Sequence, residues 1–147
     1  KGDIVFNNDL AIQEVNGEEE AYEVIEKELG IKPVRLTYVP SGMEFIDLTI
    51  THGAAVIKFE YKGKIIYFSC ISNSTEASTN FKSDAQIYKE VHNKWFGQQI
   101  PVRQETTEIG TIKYEAHFAN QDIVCELVGE IPEDEFVKIL TGLKRFN

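Results

Sequence analysis

Apolar residues recur with two different periods along this chain, and the changes of period predict two helices separated by strands. In an acidic segment near the start, apolar side chains return at helical spacing, which predicts a helix over about Glu18–Leu29. Asn16 is its predicted N-cap, with Glu19 at the capping-box position, and Gly30 is its predicted left-handed stop. Residues 1–15 are expected to form a short strand or an ordered arm.

Strict alternation of apolar and polar residues replaces the helical period after this helix and predicts antiparallel strands. The first strand ends at the turn Pro40-Ser41-Gly42, and a second strand runs on to His52-Gly53. Each of these strands is expected to bury one face. Their apolar positions are Val34, Leu36 and Tyr38 in the first strand, and Ile46, Leu48 and Ile50 in the second.

The segment AAVIKFEYKGKIIYFSCI is predicted to be a hairpin that turns at Lys62-Gly63. With Tyr61 opposite Lys64, one face of the hairpin becomes almost wholly apolar, whereas a slip by one residue would bring charged residues such as Lys58 onto that face. Burial should therefore hold the register. The predicted apolar pairs are Phe59 with Ile66, Ile57 with Phe68, and Ala55 with Cys70.

A second hairpin, TIKYEAHFANQDIVCELVGEI, is predicted to turn at Asn120-Gln121. Its polar face then sets Glu115 against Glu126, a like-charge pair that is tolerable only when it is well exposed. Its predicted apolar pairs are Phe118 with Ile123, Ala116 with Cys125, and Tyr114 with Leu127.

Two segments lie between the hairpins. Ser72–Asp84 is polar and is predicted to be a loop that offers mobility or an adjustable contact. Residues 85–96 fit either a helix that begins at Ser83 or a strand that returns after Gly97, and the strand is the preferred interpretation.

A second helix is predicted at the end of the chain, where Pro132 opens it in its first turn and Lys144-Arg145 close it. Its apolar stripe is Phe136, Ile139, Leu140 and Leu143. The pattern predicts a single domain over residues 1–147, with helix, antiparallel sheet and helix over residues 16–147. The predicted fold class is α+β: a strongly bent antiparallel sheet of six to eight strands, with the N-terminal and the C-terminal helix packed on its apolar side.

An excess of acidic residues narrows the classes of partner. The chain has 15 Lys and Arg against 24 Asp and Glu, and its net charge of −9 repels nucleic acid and favours neutral or basic partners. It begins Lys-Gly-Asp and its only methionine is Met43, so an upstream segment is expected. No stretch approaches the roughly 18 apolar residues of a membrane span. Contact with a membrane is therefore expected only through an anchor in the missing segment.

Residues that carry catalytic or metal chemistry are few and scattered. His52, His92 and His117 have no second ligand at helical spacing, and Cys70 and Cys125 form no CxxC pair. The two cysteines are interpreted as buried free thiols, with a disulfide between them as the alternative. Because GxSxG, phosphate-loop, GxGxxG and HExxH motifs are absent, the sequence predicts no enzyme, no metal and no cofactor.

Four aromatic residues, Tyr67, Tyr88, Trp95 and Phe96, are the candidate contact residues. They would offer an aromatic surface if they lie on a face that the helices leave open, and the alternative is that they belong to the core. The sequence thus predicts a non-catalytic binding or sensory domain whose partner is an unidentified protein or small ligand, with the oligomeric state left open. The alternatives are a structural or interaction module of an envelope-associated protein, and an enzyme whose site is assembled across strands.

The segments LGIKPVRLTYVPSGM and LVGEIPEDEFVKIL, with antiparallel strands between them, carry a family resemblance. From about Tyr22 to Leu143 the chain resembles an uncharacterised bacterial domain-of-unknown-function family that follows a single transmembrane helix in Gram-positive membrane-anchored proteins, sometimes near sigma-factor regulation. The resemblance implies an extracytoplasmic domain, anchored to the cell membrane by a segment absent from this chain, and assigns no catalytic residue. The residues that carry it are Pro33, Tyr38, Pro40, Gly42 and Met43, then Leu127, Gly129, Glu135, Phe136 and Ile139.

Overall fold

The structure, a computed structural model, describes residues 11–72 and 86–146. Apart from Ser72, the segment predicted as a polar loop lies outside the described residues, and so do residues 1–10 of the predicted arm. In chain order the described elements are β1 (Ala11–Gln13), α1 (Glu18–Leu29), β2 (Val34–Leu36), β3 (Met43–Thr51), β4 (Ala54–Tyr61), β5 (Lys64–Ser72), β6 (Gln86–Asn93), β7 (Gln98–Thr106), β8 (Ile112–Asn120), β9 (Ile123–Gly129), α2 (Glu133–Thr141) and β10 (Leu143–Arg145).

Eight of these strands form one antiparallel sheet in the order β1-β3-β4-β5-β9-β8-β7-β6, and β2 and β10 form a separate antiparallel pair. The large sheet consists of two meanders, one from β3 to β5 and one from β6 to β9, which meet where β5 pairs with β9. An α+β fold built on an antiparallel sheet is therefore confirmed, and its eight strands fall within the predicted six to eight. The strong bend stays a prediction.

The β4–β5 hairpin has the predicted register. Lys62 and Gly63 form its turn with φ angles of 50° and 82°, the left-handed conformation that tight hairpin turns favour. Tyr61 lies opposite Lys64, and all the predicted apolar pairs follow from that pairing. The side chains of these predicted pairs are buried in the core, as predicted.

The β8–β9 hairpin has a register two residues away from the predicted one. Its turn residues are Gln121 and Asp122, and the predicted turn at Asn120-Gln121 is wrong. A shift of two residues leaves every side chain on the same face of the strand, so the apolar pattern fits both registers equally well. The observed pairs are Phe118 with Cys125, Ala116 with Leu127, Tyr114 with Gly129, and His117 with Glu126, so Glu126 does not face Glu115.

One face of the large sheet carries the apolar core, to which both helices contribute. Ile25 of α1 and Phe136 of α2 are fully buried together with sheet residues such as Ile57 and Phe68. The rings of Phe136 and Tyr114 lie 5.4 Å apart, and α1 contacts β3 and β4 while α2 contacts β6. That both helices pack on the apolar side of the sheet stays a prediction.

Helix α1 has its predicted bounds but not its predicted cap. Its N-cap is Gly17, without a side-chain capping bond, so the prediction of Asn16 as the N-cap is wrong. The Glu20 carboxylate accepts a hydrogen bond from the backbone N–H of Asn16 at 2.7 Å. The capping-box position had predicted this bond for Glu19. Gly30 ends the helix in the left-handed conformation, with φ of 73°, as predicted.

Helix α2 is shorter than predicted, because the last residues of the predicted helix form a strand. The helix ends at Thr141, and the prediction that Lys144-Arg145 close it is wrong, since they belong to β10 together with Leu143. The carbonyl of Gly142 accepts hydrogen bonds from the N–H of Thr37 at 3.1 Å and from its hydroxyl at 2.5 Å. The carbonyl of Gly142 is therefore hydrogen-bonded to the residue after β2 and not within a further helical turn.

Two further predictions about α2 and β3 need correction. Pro132 precedes α2 as its N-cap residue and does not lie in its first turn. In β3 the register shifts between Phe45 and Asp47, and Ile46 is exposed instead of sharing the face of Leu48. Such a bulge adds one residue to a strand, which simple alternation does not anticipate.

The interpretation of residues 85–96 as a strand is confirmed for residues 86–93, which form β6, whereas residues 94–96 belong to the turn that follows. This strand pairs with β7 and completes the second meander. Its inward side chains near the C-terminal end, Val91 and Asn93, are buried.

Candidate functional site

Turns of the second meander, the residues after α1 and the last strand enclose a cleft of about 570 Å³. The β6–β7 turn and the β8–β9 turn supply two of its walls, since both lie at the same end of the meander. The residues after α1 supply a third wall, and β10 supplies Arg145. We call this space the turn cleft, and its lining includes Ile31, Lys32, Trp95, Phe96, Asp122 and Arg145.

Trp95 and Phe96 form the aromatic wall of the turn cleft. Their rings meet edge to face with centroids 4.9 Å apart, and the Phe96 ring lies 5.2 Å from that of Phe118. Phe96 is thus anchored on the core, whereas Trp95 is 45% exposed. An indole held in this way offers a flat apolar surface, and few rotatable bonds need to be ordered when a ligand contacts it.

Asn93, the last residue of β6, fixes the turn that carries these two rings. The residue is completely buried, and its side-chain nitrogen donates to the carbonyls of Leu140 at 2.7 Å and Leu143 at 3.0 Å. Its side-chain oxygen accepts a hydrogen bond from the N–H of Phe96 at 2.9 Å. A buried amide that loses such partners is costly, so these bonds hold the aromatic wall against the end of α2 and the start of β10.

Arg145 joins two further walls of the turn cleft. Its Nε donates to the carbonyl of Lys32 at 2.8 Å, its Nη1 donates to the carbonyl of Asn120 at 3.4 Å, and its Nη2 pairs with the Asp122 carboxylate. Arg145 is 8% exposed, so these bonds replace the water that a guanidinium would otherwise need. The side chain sets the position of the β8–β9 turn against the residues that follow α1.

The charges that line the turn cleft are paired within the protein. Arg145 is paired with Asp122, and the Nζ of Lys32 lies 2.7 Å from the Glu26 carboxylate. The Asp122 side chain remains more than half exposed, so its carboxylate can accept further hydrogen bonds. The Asp122 carboxylate would repel an anionic ligand. A ligand with a flat apolar group and neighbouring N–H donors, in contrast, complements both Trp95 and Asp122.

Tyr88 lies elsewhere, beside a second cleft of about 460 Å³ at the opposite end of β6 and β7. Its hydroxyl donates to Glu133 at 2.9 Å, and the Nζ of Lys89 donates to the same carboxylate at 2.7 Å. The bonds from Lys89 and Tyr88 lower the pKa of Glu133, and the bond to Glu133 raises the pKa of Tyr88. Tyr88 thus connects β6 to the first turn of α2.

Tyr67 lies on the sheet face opposite to that of Phe68, where it is 41% exposed. Its neighbours across the strands are Lys58 and Val128. The four predicted contact residues therefore occupy three separate places, and the structure brings only Trp95 and Phe96 together. Their role in binding stays a prediction.

The three histidines lie apart from one another. Nδ1 of His92 is 2.6 Å from Oε1 of Gln99, His52 occupies the turn after β3, and His117 faces Glu126. Burial, and secondarily the charge of Arg103, lowers the pKa of His117.

Within residues 11–72 and 86–146, no three His, Cys, Asp or Glu side chains are grouped so as to hold a metal ion. Among the helices of these residues, none has the length and apolar character needed to cross a membrane.

Asn93, Asp122 and Arg145 build the turn cleft, but none of them was predicted as a functional residue. A signal for Arg145 exists, because Gly142 is a helix stop that an apolar-polar alternation follows. Asp122 has a weaker signal as a residue that favours turns. Asn93 has none, because its partners are backbone carbonyls 47 and 50 positions along the chain.

The fold places the chain in the class of mixed α+β domains built on an antiparallel sheet. A family model described as Domain of unknown function (DUF4367) matches residues 33–143, and the chain belongs to this family. The comparisons with curated proteins and with solved structures found no match. The family resemblance is thus confirmed as far as a domain of unknown function, and the Gram-positive anchor and the sigma-factor context stay expectations.

Proposed function

We propose that this chain is a non-catalytic binding or sensory domain that holds a flat apolar group of a peptide, or of a small ligand of the same chemistry, in the turn cleft. The observation that carries the proposal is the position of Trp95. Its indole is 45% exposed, yet it stands on a turn that the buried Asn93 holds in place. An exposed aromatic residue on a rigid support is typical of binding sites.

The polar groups around Trp95 indicate the chemistry of the ligand. The exposed Asp122 carboxylate accepts N–H donors at the edge of the cleft, and Arg145 already donates to protein partners from each of its three side-chain nitrogens. A peptide supplies both a ring or apolar side chain for Trp95 and backbone N–H groups for Asp122. The net charge of −9 also favours a neutral or basic partner.

The non-catalytic character rests on the composition of the cleft. Its lining contains neither a histidine nor a cysteine, and both thiols are buried in the core. A binding role requires only the aromatic wall and hydrogen-bonding groups that the cleft provides.

We also propose that the domain works outside the cytoplasmic membrane, tethered by a segment that is absent from this chain. Its sheet is proposed to be strongly bent, with both helices packed on its apolar side. The resemblance to anchored bacterial proteins supports the proposed location. Sequencing the complete gene tests it, because an upstream region with neither an apolar span nor a signal peptide would contradict it.

Fluorescence titration tests the proposed site directly, because Trp95 is the single tryptophan of the chain. The probes are acetylated tripeptide amides with tyrosine, proline or leucine at the centre, and triglycine amide is the blank. We expect a saturable change in the emission of Trp95 with the tyrosine and proline peptides and none with triglycine amide. A panel without any saturable response would overturn the assignment of a peptide ligand.

Calorimetry on two variants separates the turn cleft from the open sheet face. Trp95→Ala should weaken binding of the best peptide at least about tenfold, or about 1.4 kcal/mol. Tyr67→Ala is the matched control, since Tyr67 is similarly exposed on a different face, and it should leave the affinity unchanged. Equal losses in both variants would place the ligand outside the turn cleft.

A second candidate function, that of an interaction module, is favoured by an apolar patch at the opposite end of the second meander. Ile87 is 60% exposed and Ile109 75% exposed, and Ile112 lies beside Ile87 in the second cleft. Exposed aliphatic residues grouped in this way are typical of protein interfaces. If the patch were the only functional surface, the peptide titration would leave the emission of Trp95 unchanged.

A further inference from the structure

Cys70 and Cys125 lie directly opposite each other at the junction of the two meanders. They are register partners in the β5–β9 pair, and both are 1% exposed free thiols. Neither residue lines the turn cleft. The pair is therefore separate from the proposed binding site.

The first hairpin shows which kind of strand pair Cys70 makes. In a two-residue hairpin, the pair that closes the turn exchanges backbone hydrogen bonds, and every second pair outward does the same. Tyr61 and Lys64 close this turn, so Cys70, six positions beyond Lys64, is hydrogen-bonded to β4. The bond from the N–H of Ser72 to the carbonyl of Gly53, at 2.8 Å, continues the alternation. The backbone groups of Cys70 thus point away from β9.

The second hairpin shows which kind of strand pair Cys125 makes. Asn120 and Ile123 close its turn, and Phe118 and Cys125 are the next pair of the same kind. The backbone groups of Cys125 therefore point towards β8 and away from β5. Cys70 and Cys125 form a non-hydrogen-bonded pair, in which Cα atoms approach to about 4.5 Å. That separation lies within the roughly 4.4–6.8 Å that a disulfide spans.

The two thiols also lie on the same face of the sheet. Both cysteines belong to the core face, where the Cys70 thiol donates to the carbonyl of Val34 at 3.8 Å. Two side chains that are register partners on one face of a sheet are direct neighbours. Closing the S–S bond therefore requires a change of side-chain rotamers rather than a shift of strands.

We propose that Cys70 and Cys125 form a disulfide across the junction of the meanders when the chain folds in the presence of a small-molecule disulfide such as oxidised glutathione. The thiolate of one cysteine attacks the glutathione disulfide, which gives a mixed disulfide and releases one reduced glutathione. The second cysteine attacks the mixed disulfide and releases the other. The protein loses two protons and two electrons, and oxidised glutathione takes them up as two thiols.

Burial determines when this reaction occurs. Burial, and secondarily the neighbouring Cys70 side chain, raises the pKa of the Cys125 thiol well above its usual value, so the reactive thiolate is scarce in the folded protein. Oxidation is therefore fast while the chain folds and slow once the core has closed. The same burial shields the finished disulfide from reductants.

The disulfide would add a covalent bond between β5 and β9, which are paired strands and neighbours in the core at this position. It closes a loop of about 55 residues, which restricts the unfolded chain strongly. Oxidised protein should therefore melt roughly 10 °C above reduced protein.

Refolding followed by mass spectrometry tests the proposal on the wild-type chain. Reduced, unfolded protein is diluted into a glutathione buffer, quenched with N-ethylmaleimide in denaturant and weighed. We expect no maleimide adduct and a mass about 2 Da below that of the reduced chain, the mass of two hydrogens. Two maleimide adducts after refolding, or a disulfide found only between two chains, would overturn the proposal.

Two variants serve as controls. Cys125→Ala should show no loss of two hydrogens, and Cys70→Ala combined with Cys125→Ala should melt at the same temperature in oxidising and reducing buffers. If either variant fails to fold, the mass measurement on the wild-type chain still stands alone. A wild-type melting temperature that is the same in both buffers would contradict the proposal.

Discussion

The hairpins β4–β5 and β8–β9 are alike in their apolar pattern but differ in how their turns are held. In the first, Lys62 and Gly63 both take the left-handed conformation, which the glycine adopts without strain. In the second, Gln121 takes it with φ of 54°, although a residue with a Cβ disfavours it. The second turn has an external support, because Arg145 binds both the carbonyl of Asn120 and the carboxylate of Asp122.

The register of β4–β5 is therefore determined within the hairpin itself. The register of β8–β9 also depends on Arg145, which lies 23 positions after Asp122. The supported turn is also the one that forms a wall of the turn cleft. We therefore expect the first hairpin to respond mainly to changes in its core, and the second to respond also to changes in Arg145.

The largest effect is expected from the core of the first hairpin. Phe68 is fully buried opposite Ile57 and Leu127, so Phe68→Ala should lower the free energy of unfolding by about 3–5 kcal/mol. Urea unfolding followed by circular dichroism measures this loss. Tyr67→Ala, the exposed neighbour, should change the free energy of unfolding by less than about 1 kcal/mol, and equal losses would show that the register is wrong.

A smaller effect is expected from the support of the second hairpin. Arg145→Ala removes the bonds to Lys32, Asn120 and Asp122 and should lower the free energy of unfolding by about 2 kcal/mol. Hydrogen exchange should at the same time become faster in the β8–β9 turn and not in the β4–β5 turn.

Lys144→Ala is the matched control for this prediction, because Lys144 lies beside Arg145 in β10 and is only partly buried. It should leave exchange in both turns unchanged. Faster exchange in the β4–β5 turn of Arg145→Ala would show that the two hairpins do not differ as described.

The smallest effect concerns the outer face of the second hairpin and depends on pH. Burial, and secondarily the nearby Glu115, raises the pKa of Glu126, so its carboxylate is less favourable in the folded chain than in the unfolded one. This penalty is present above the folded pKa and disappears below the unfolded pKa, near 4.5. Glu126→Gln should therefore raise the free energy of unfolding at pH 7 by less than about 1 kcal/mol, since the side chain is partly exposed.

Urea unfolding of Glu126→Gln and wild type between pH 7 and pH 4 measures this difference. The gain should shrink as the pH falls, and a gain that stays constant would assign it to something other than the carboxylate. Glu60→Gln, at an exposed position of the first hairpin, should alter the free energy of unfolding by no more than about 0.5 kcal/mol at either pH.

Predictions from the sequence succeeded where a short segment carries its own signal. Gly30 marks the end of α1, Lys62-Gly63 form the first turn, and the apolar alternation around them defines the β4–β5 pairs. The candidate site was predicted in part, since Trp95 and Phe96 line the turn cleft. Tyr67 and Tyr88 lie elsewhere, because alternation along a strand does not show which residues of different strands and turns converge.

The sequence by itself determined the α+β class, the bounds of α1 and the face of each residue in the two hairpins, because these follow from periods and turn residues within a few positions. Only the tertiary structure decided the register of β8–β9, the strand at Leu143–Arg145 and the turn cleft. A register shift of two residues leaves the apolar face unchanged. The choice between registers therefore falls to contacts such as those of Arg145 with Lys32 and Asp122, which join residues far apart in the chain.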